Sequence, residues 1–421
     1  MWVKKNDYIC KMNSTEIFSI ALGLEAPWQV QTVRLVPVSP TEQELHIDID
    51  FPRGTKFLSR TGEATTAYDT EEKRWQHLNF FQHRCYLHAR VPRLQDAAGK
   101  IYQIEVPWAR SGSGFTLLFE AYAMLLIESE MPVCNVAGTL EVTQPRVWRV
   151  FDYWINKAFS KDDLRLVKRI GVDETSRKKG HEYITQFVDL DKRRTVFVTE
   201  GKDATTIEKF VEELEKKHGK KENIELVSMD MSPAFITGVL NKLPDSQIVF
   251  DKFHLIKMLN EALDAVRRLE RKGNELLKNH RYTILRRYEN LSLKKKYELD
   301  ALLPLYPKLG EAYRLKQLFL DVFDVSDAEE AKGYLWFWCD QALEAGIEPF
   351  RKFVNTIKAH WVGIVAYFDN KVTNGVLEGI NAKIQLAKRR ARGYRNQKNF
   401  INMIYFLCAK LDCFSFPYKT L

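Results

Sequence analysis

Three carboxylates, Asp173, Asp230 and Glu378, stand in sequence settings that suit metal-assisted chemistry. Acids gathered at one point hold hard divalent cations such as Mg2+ through oxygen ligands. Two such ions about 4 Å apart activate an attacking oxygen and stabilise a leaving one during phosphoryl transfer. Glu378 lies just inside a predicted helix that runs from Asn374 to Arg395. Asn374 is suited to the N-cap, and the positive end of the helix dipole favours an ionised Glu378. From Gly379 to Phe400 the chain then carries seven Lys or Arg residues and no Asp or Glu. At 100° per residue, Arg389 returns to within about 20° of the Glu378 face, roughly 16 Å further along. One helix side would thus carry a metal-binding carboxylate followed by phosphate partners from Lys388, Arg389, Arg390, Arg392 and Arg395. A solvated basic helix with one incidental Glu has the same composition, so the position of the other two acids decides between the readings.

Those acids sit in an α/β pattern. Leu166 to Glu174, His181 to Asp189 and Thr195 to Glu200 read as three consecutive strands, followed by a helix from Ala204 to His218. A strand from Ile224 to Met229 ends at Asp230, Ser232 and Pro233 open a helix, and the strand Gln247 to Phe250 follows. Three antiparallel strands, helix, strand, helix, strand is the order of the ribonuclease H-like fold. It puts Asp173 on the first strand and Asp230 at the end of the fourth, its neighbour. The nearly all-helical stretch of about 256–368, with Trp336, Trp338 and Trp361 expected to pack internally, reads as an insertion before the helix that brings in Glu378. Glu378 is expected within metal-bridging reach of both aspartates, with Arg389 on the same helix side. Without metal the clustered acids repel, and their pKa values should rise.

Upstream, residues 1–112 look β-rich. Leu45, Ile47, Ile49 and Phe51 alternate with Glu44, His46, Asp48 and Asp50, and Cys85, Leu87, Ala89 and Val91 repeat the pattern, which predicts an antiparallel ribbon. Ile101 to Trp108 is a further candidate strand. His77, His83, Cys85 and His88 match no usual zinc spacing, and His88 falls on the opposite strand face from Cys85. Residues 113–163 predict two short helices, a turn at Glu141 to Thr143, and a third helix capped by Thr143 with Pro145 in its first turn. This is a helix-turn-helix pattern that would turn Gln144, Arg146 and Arg149 to DNA, although trihelical bundles without DNA share it. Residues 164–421 form the remaining, catalytic part.

A net charge of +9 and a pI near 9.0 suit a polyanionic partner. Six cysteines with no Cys-x-x-Cys pair fit a reducing compartment rather than a disulfide framework. The apolar stretch Phe115 to Ile127 is interrupted by Glu120 and is too short for a bilayer. Ile17 to Leu24 follows Glu16 directly and lacks a good cleavage site. The expectation is a soluble cytoplasmic protein.

Ile170-Gly-Val-Asp-Glu174, Lys179-Gly180, Val227-Ser-Met-Asp-Met-Ser-Pro-Ala234, Val249-Phe-Asp-Lys-Phe-His254 and Asn374-Gly-Val-Leu-Glu-Gly-Ile-Asn381 closely resemble the DDE transposases of the bacterial insertion-sequence family ISL-three (ISL3). Tyr68-Asp69, Trp75, Phe80-Phe81, Arg90-Val-Pro-Arg93 and Val106-Pro-Trp-Ala-Arg110 resemble that family's N-terminal module, so the likeness spans the chain. It implies that Asp173, Asp230 and Glu378 are a catalytic, metal-binding triad for Mg2+ or Mn2+, and that Asp251 and His254 are an auxiliary pair. It also implies binding to double-stranded terminal inverted repeats and target DNA, strand cleavage and strand transfer; the geometry of pairing two ends leads to the expectation of at least a dimer on DNA. A domesticated DNA-binding protein or repressor, and a nuclease without strand transfer, are the alternatives. One departure concerns the zinc module of the family. Leu58-Ser-Arg-Thr-Gly62 stands where the first cysteines belong, and Asp96 and Gly99 stand near the later ligands. The N-terminal part is therefore expected to fold on its apolar strand faces without zinc, and elemental analysis of purified protein showing stoichiometric zinc would contradict this.

Overall fold

The computed structural model describes residues 13–176, 182–271, 275–370 and 375–412. Asn374, Lys179, Gly180 and His181 lie outside the described residues. The chain divides into two compact units, one holding the described residues up to Tyr153 and the other those from Trp154 onward.

The first unit opens with helix α1 (Ser14–Ala21), followed by strands β1 (Gln29–Pro37) and β2 (Gln43–Asp50) and a small hairpin of β3 (Lys56–Leu58) and β4 (Ala64–Thr66). The long strands β5 (Asp69–Phe80) and β6 (His83–Gln95) and the short β7 (Ile101–Gln103) complete it, so the candidate strand from Ile101 stops well before Trp108. The sheet runs β1-β2-β6-β5, with β7 on β6. β2 pairs with β6 in parallel, so the sheet is mixed rather than the antiparallel ribbon that alternation suggested. Alternation fixes which face is buried but not which strand comes alongside, because pairing is set by contacts distant in sequence. The buried faces meet as expected, with Leu45, Ile47, Ile49, Cys85, Leu87 and Val91 packed around Trp28, Trp75 and Trp108. In the turn between β3 and β4, Ser59 Oγ and Thr61 Oγ1 lie 2.8 Å apart. His88 contacts His46 across the polar face at 2.8 Å, whereas His77 is half-buried against the Thr116 hydroxyl.

Helices α2 (Leu117–Glu128), α3 (Val133–Thr139) and α4 (Gln144–Ser160) follow, with the turn at Glu141 made at positive φ. Glu120 is buried in this apolar stretch and is satisfied by Arg110 Nε at 2.9 Å and Ser113 Oγ at 2.6 Å. No helix among the described residues is long and apolar enough to cross a membrane.

The second unit is built on β8 (Arg169–Ser176), β9 (Tyr183–Asp189), β10 (Arg194–Glu200), helix α5 (Thr205–Lys216), β11 (Leu226–Met229), helix α6 (Pro233–Lys242) and β12 (Gln247–Phe250). The element order is the one predicted. The sheet runs β10-β9-β8-β11-β12; the first three strands are antiparallel, and β11 is parallel to both β8 and β12. Helices α7 (Lys252–Glu270), α8 (Arg281–Leu285), α9 (Leu293–Leu302), α10 (Pro307–Val322), α11 (Ala328–Glu344), α12 (Glu348–Ala359) and α13 (Trp361–Asn370) form the predicted helical block. Trp338 is core, its Nε1 donating to Leu315 O at 2.7 Å, but Trp336 on the same helix is 52% exposed and meets Trp361 edge-on. Two helices, α14 (Gly375–Arg390) and α15 (Gln397–Cys408), close the unit, and the Tyr405 hydroxyl of α15 accepts from the Val198 N–H of β10 at 2.9 Å.

Helix α14 reaches β8 because Gly171 has no side chain: a Cβ there would lie 3.0 Å from methyl carbons of both Leu377 and Leu190. Gly379, on the same helix as Leu377, has open space around the position a Cβ would take. Gly171→Val should therefore destabilise the protein by about 1–3 kcal/mol through overpacking, whereas Gly379→Ala should stabilise it by up to about 1 kcal/mol through helix propensity. Denaturant unfolding of the two variants checks both signs, and a neutral Gly171→Val would contradict the close approach.

Candidate active site

Three neighbouring parallel strands carry acids, Asp173 within β8 and Asp230 and Asp251 directly after β11 and β12. Ser228 pairs with Gly171 on β8 and with Val249 on β12, so two residues further on Asp173, Asp230 and Asp251 come level in adjacent strands. Strand spacing in a sheet is about 4.8 Å. Each acid is already engaged locally. Asp230 Oδ1 accepts from Ser232 N at 2.9 Å, and Asp251 caps α7 by accepting from Phe253 N at 2.8 Å. Asp173 Oδ1 accepts from Glu174 N at 2.7 Å, and its other oxygen accepts from the Asn381 carboxamide of α14. His254 lies in the first turn of α7, its backbone N–H donating to Asp251 O at 3.2 Å.

Burial pushes the Asp173 carboxyl up to about 6, from an ordinary 3.8. The N–H groups of Asn381 and Glu174 pull it down, and the negative charges of Asp230 and Asp251 push it further up. This is the repulsion expected of acids gathered without a counter-ion.

Helix α14 runs alongside β8. Leu377 packs over Gly171, Asn381 meets Asp173, and Lys388 Nζ donates to Ser176 O at 2.6 Å. From Leu377 to Lys388 the helix rises about 16.5 Å at 1.5 Å per residue. From Gly171 to Ser176 the strand also rises about 16.5 Å at 3.3 Å per residue. The two elements match in length, so the contacts fall in step. The side of α14 turned to the strand is the stripe Leu377, Asn381, Ile384, Lys388, which has the i, i+4, i+7, i+11 spacing of one helix face.

Glu378 is one residue, about 100°, round from that stripe, and it is exposed. The expected metal-bridging reach to both aspartates is not what the structure holds, and among the described residues no three acids group closely enough to share an ion. The reason is geometric: Asn381, not Glu378, is the residue of α14 that meets Asp173. Arg389 is exposed, as are Arg390, Arg392 and Arg395, whereas Lys388 is half-buried with its ammonium on Ser176. The donor set itself, carboxylates at one sheet edge with mutual repulsion to offset, fits a hard divalent cation in its chemistry.

Asn381 is itself oriented. Its Oδ1 accepts from Gln186 Nε2 at 2.6 Å and from Thr175 Oγ1 at 3.4 Å. Gln186 stands opposite Asp173 in the β8–β9 pairing and is 1% exposed. Sequence reasoning missed Asn381, Gln186 and Thr175. The Leu377, Asn381, Ile384, Lys388 stripe was the available signal for Asn381; Gln186 has no local signature.

In the first unit, Gln144 and Arg149 are exposed near the start of α4. Arg146 is turned inward instead, stacked 4.1 Å from the Phe115 ring centroid and donating to Gln76 Oε1 at 3.3 Å. Partners at positions 76 and 115 were not visible in the local helix pattern.

Residues 170–404 match the family model described as a transposase of the ISL3 DDE type, and residues 104–155 match the helix-turn-helix domain of transposase family ISL3. The first match spans more than half of the chain, and the protein belongs to the ISL3 family of insertion-sequence transposases. It is 28% identical to the transposase for insertion sequence element IS1557 of Mycobacterium tuberculosis, over 93% of this chain and 94% of that protein. It is also 28% identical to the transposase for insertion sequence element IS1001 of Bordetella parapertussis, over 79% of this chain and 84% of that protein. The helices α2 to α4 therefore belong to a DNA-binding helix-turn-helix domain.

The raised Asp173 value carries a sign. The folded-state pKa of about 6 exceeds the ordinary 3.8, so the stability tied to neutral Asp173 is fully present below about pH 4 and is lost as pH rises through 6. Asp173→Asn should remove that loss. In metal-free protein the variant should be more stable than the parent at pH 7.5, by up to roughly 3 kcal/mol, and nearly equal to it at pH 4. Unfolding curves at the two pH values test this; an equal difference at both would contradict it.

Proposed function

We propose that the protein cuts and joins DNA strands at the ends of its insertion sequence, with the second unit as a ribonuclease H-like catalytic part and the first as the binder of terminal inverted repeats. The observation that carries this reading is the row Asp173, Asp230 and Asp251 at one sheet edge, with α14 pinned beside it. Asp173, Asp230 and Glu378 would hold Mg2+ or Mn2+, with Asp251 and His254 as the auxiliary pair. A divalent cation bound there supplies charge neutralisation for the reacting phosphate and a lowered pKa for the attacking water. Glu378 is within one helical turn of Asn381, which touches Asp173.

Water attacks the terminal phosphodiester and releases a 3′-hydroxyl, which then attacks target DNA in line. Arg389, Arg390, Arg392 and Arg395 hold phosphates along the path leading away from Glu378, with Lys388 contributing from its place against Ser176. Such contacts give affinity that falls steeply with salt. Gln144 and Arg149 meet the terminal repeats, and Arg146 supports the helix they stand on. Pairing two element ends calls for at least a dimer on DNA.

The solvent-side position of Glu378 favours a second reading, a chain that binds element ends without cutting them. A labelled terminal fragment with Mg2+ and plasmid target separates the readings. Joined product supports transposition, cleavage alone a nuclease, and binding alone a repressor. Asp173→Ala, Asp230→Ala and Glu378→Ala should each lower cleavage and joining by at least about a thousandfold, on the scale of losing a group central to charge stabilisation, while binding the fragment as the parent does. Substantial cleavage by any of the three would remove that residue from the mechanism.

A further inference from the structure

We propose that Asn381, oriented by Gln186, is a positioning residue: it fixes the plane of the Asp173 carboxylate and the register of the helix that carries Glu378. The proposal rests on the metal-binding reading of Asp173 given above.

The hydrogen-bond directions carry the argument. Gln186 Nε2 and Thr175 Oγ1 both donate to Asn381 Oδ1, so the carboxamide oxygen is fully committed and the NH2 group must face Asp173. A carboxylate only accepts, so this orientation is the one that Asp173 can use. With Glu174 N–H on one oxygen and Asn381 on the other, Asp173 is held from both ends and cannot turn about its Cβ–Cγ bond without losing a partner. Its remaining lone pairs stay available to an ion shared with Asp230.

Gln186 shows what this arrangement costs. It is 1% exposed, and its Oε1 is buried with no hydrogen-bond partner among the described residues. A buried acceptor without a partner is unfavourable, and an apolar side chain of similar shape would pack there without that cost. The one contact that explains a glutamine at this core position is its donation to Asn381. The relay runs from core to surface: Gln186, Asn381, Asp173.

The same bond locates α14. Leu377 on Gly171 and Lys388 on Ser176 set the helix along β8, but one is a van der Waals contact and the other a flexible side chain. Asn381 is the short, directional link between them, and Glu378 lies in the turn immediately before it. Changing Asn381 therefore reaches both Asp173 and Glu378.

The test uses the intact chain and Mn2+, with bound ion measured by the electron paramagnetic resonance of free Mn2+, alongside cleavage of a terminal fragment. Asn381→Ala should weaken Mn2+ binding at least about tenfold, the range found when a group supporting a metal ligand is removed, and lower kcat with unchanged affinity for the fragment. Gln186→Met, which keeps side-chain volume, should shift Mn2+ binding in the same direction by less. The double variant should be no weaker than Asn381→Ala alone, because Gln186 acts through Asn381. Parental Mn2+ binding in Asn381→Ala, or additive losses in the double variant, would overturn the proposal. If Asn381→Ala fails to fold, an unshifted Gln186→Met overturns it in its place. Asp173→Asn is the control that keeps the two ideas apart: full Mn2+ binding there would sink the metal-site reading itself, whereas its loss with an unaffected Asn381→Ala sinks the relay alone.

Discussion

The hydrogen bond from Asn381 to Asp173 ties the sheet edge to the helix that follows the long helical insertion. Everything at the site depends on that junction. The residues on its two sides are more than two hundred positions apart, and bringing them together costs loop-closure entropy that local contacts cannot return. Folding of the second unit has to recover it through packing: Leu377, Ile380 and Ile384 are the buried face of α14, and Gly171 gives Leu377 room. The apolar face sets distance, and the polar contacts at Asp173 and Ser176 set register. Equal rise along eleven helical and five strand residues lets one helix satisfy both at once.

Charge is distributed along α14 in accord with its dipole. Glu378 stands in the first turn, and Lys388, Arg389 and Arg390 stand in the last. Acid near the N-terminus and base near the C-terminus each favour the helix, so the arrangement has a structural reason apart from DNA. The acids of the sheet edge have no such reason in common. Asp230 closes a turn and Asp251 caps a helix, but Asp173 is half-buried on a strand beside both, at a cost that shows as its elevated pKa. A half-buried acid whose neighbours are acids is the part of the unit that stability alone does not explain.

Much of this organisation was legible along the chain. Alternation at Leu45 to Phe51 and at Cys85 to Val91 located two strands of the first sheet, and the strand-helix order around Asp173 and Asp230 located the second. Pro132, Thr143 and Pro145 marked the starts of the helix-turn-helix elements through the rules that govern first turns. What stayed hidden depends on partners remote in sequence. The parallel pairing of β2 with β6 leaves no local trace. Arg146 reads as a surface cation until Phe115 and Gln76 come beside it. Trp336 and Trp338 are indistinguishable by type, yet one is half exposed and the other is core. An angular reading of α14 placed Glu378 and Arg389 on a common side, but the buried stripe had to be traced through Leu377 and Ile384 to see that the side facing β8 carries Asn381. Gln186 is the extreme case, since an amide inside a strand announces nothing until its partner arrives from the other end of the chain.

The central claim is that Asp173, Asp230 and Glu378 form one metal site, with α14 held in register by Asn381. The most direct measurement is a crystal structure of the protein with a terminal DNA fragment and Mn2+, located by its anomalous scattering. The account predicts a peak held jointly by Asp173 and Asp230, with Glu378 turned in from the solvent side and Asn381 still on Asp173. A peak elsewhere, or Glu378 left facing solvent with the ion in place, would contradict it.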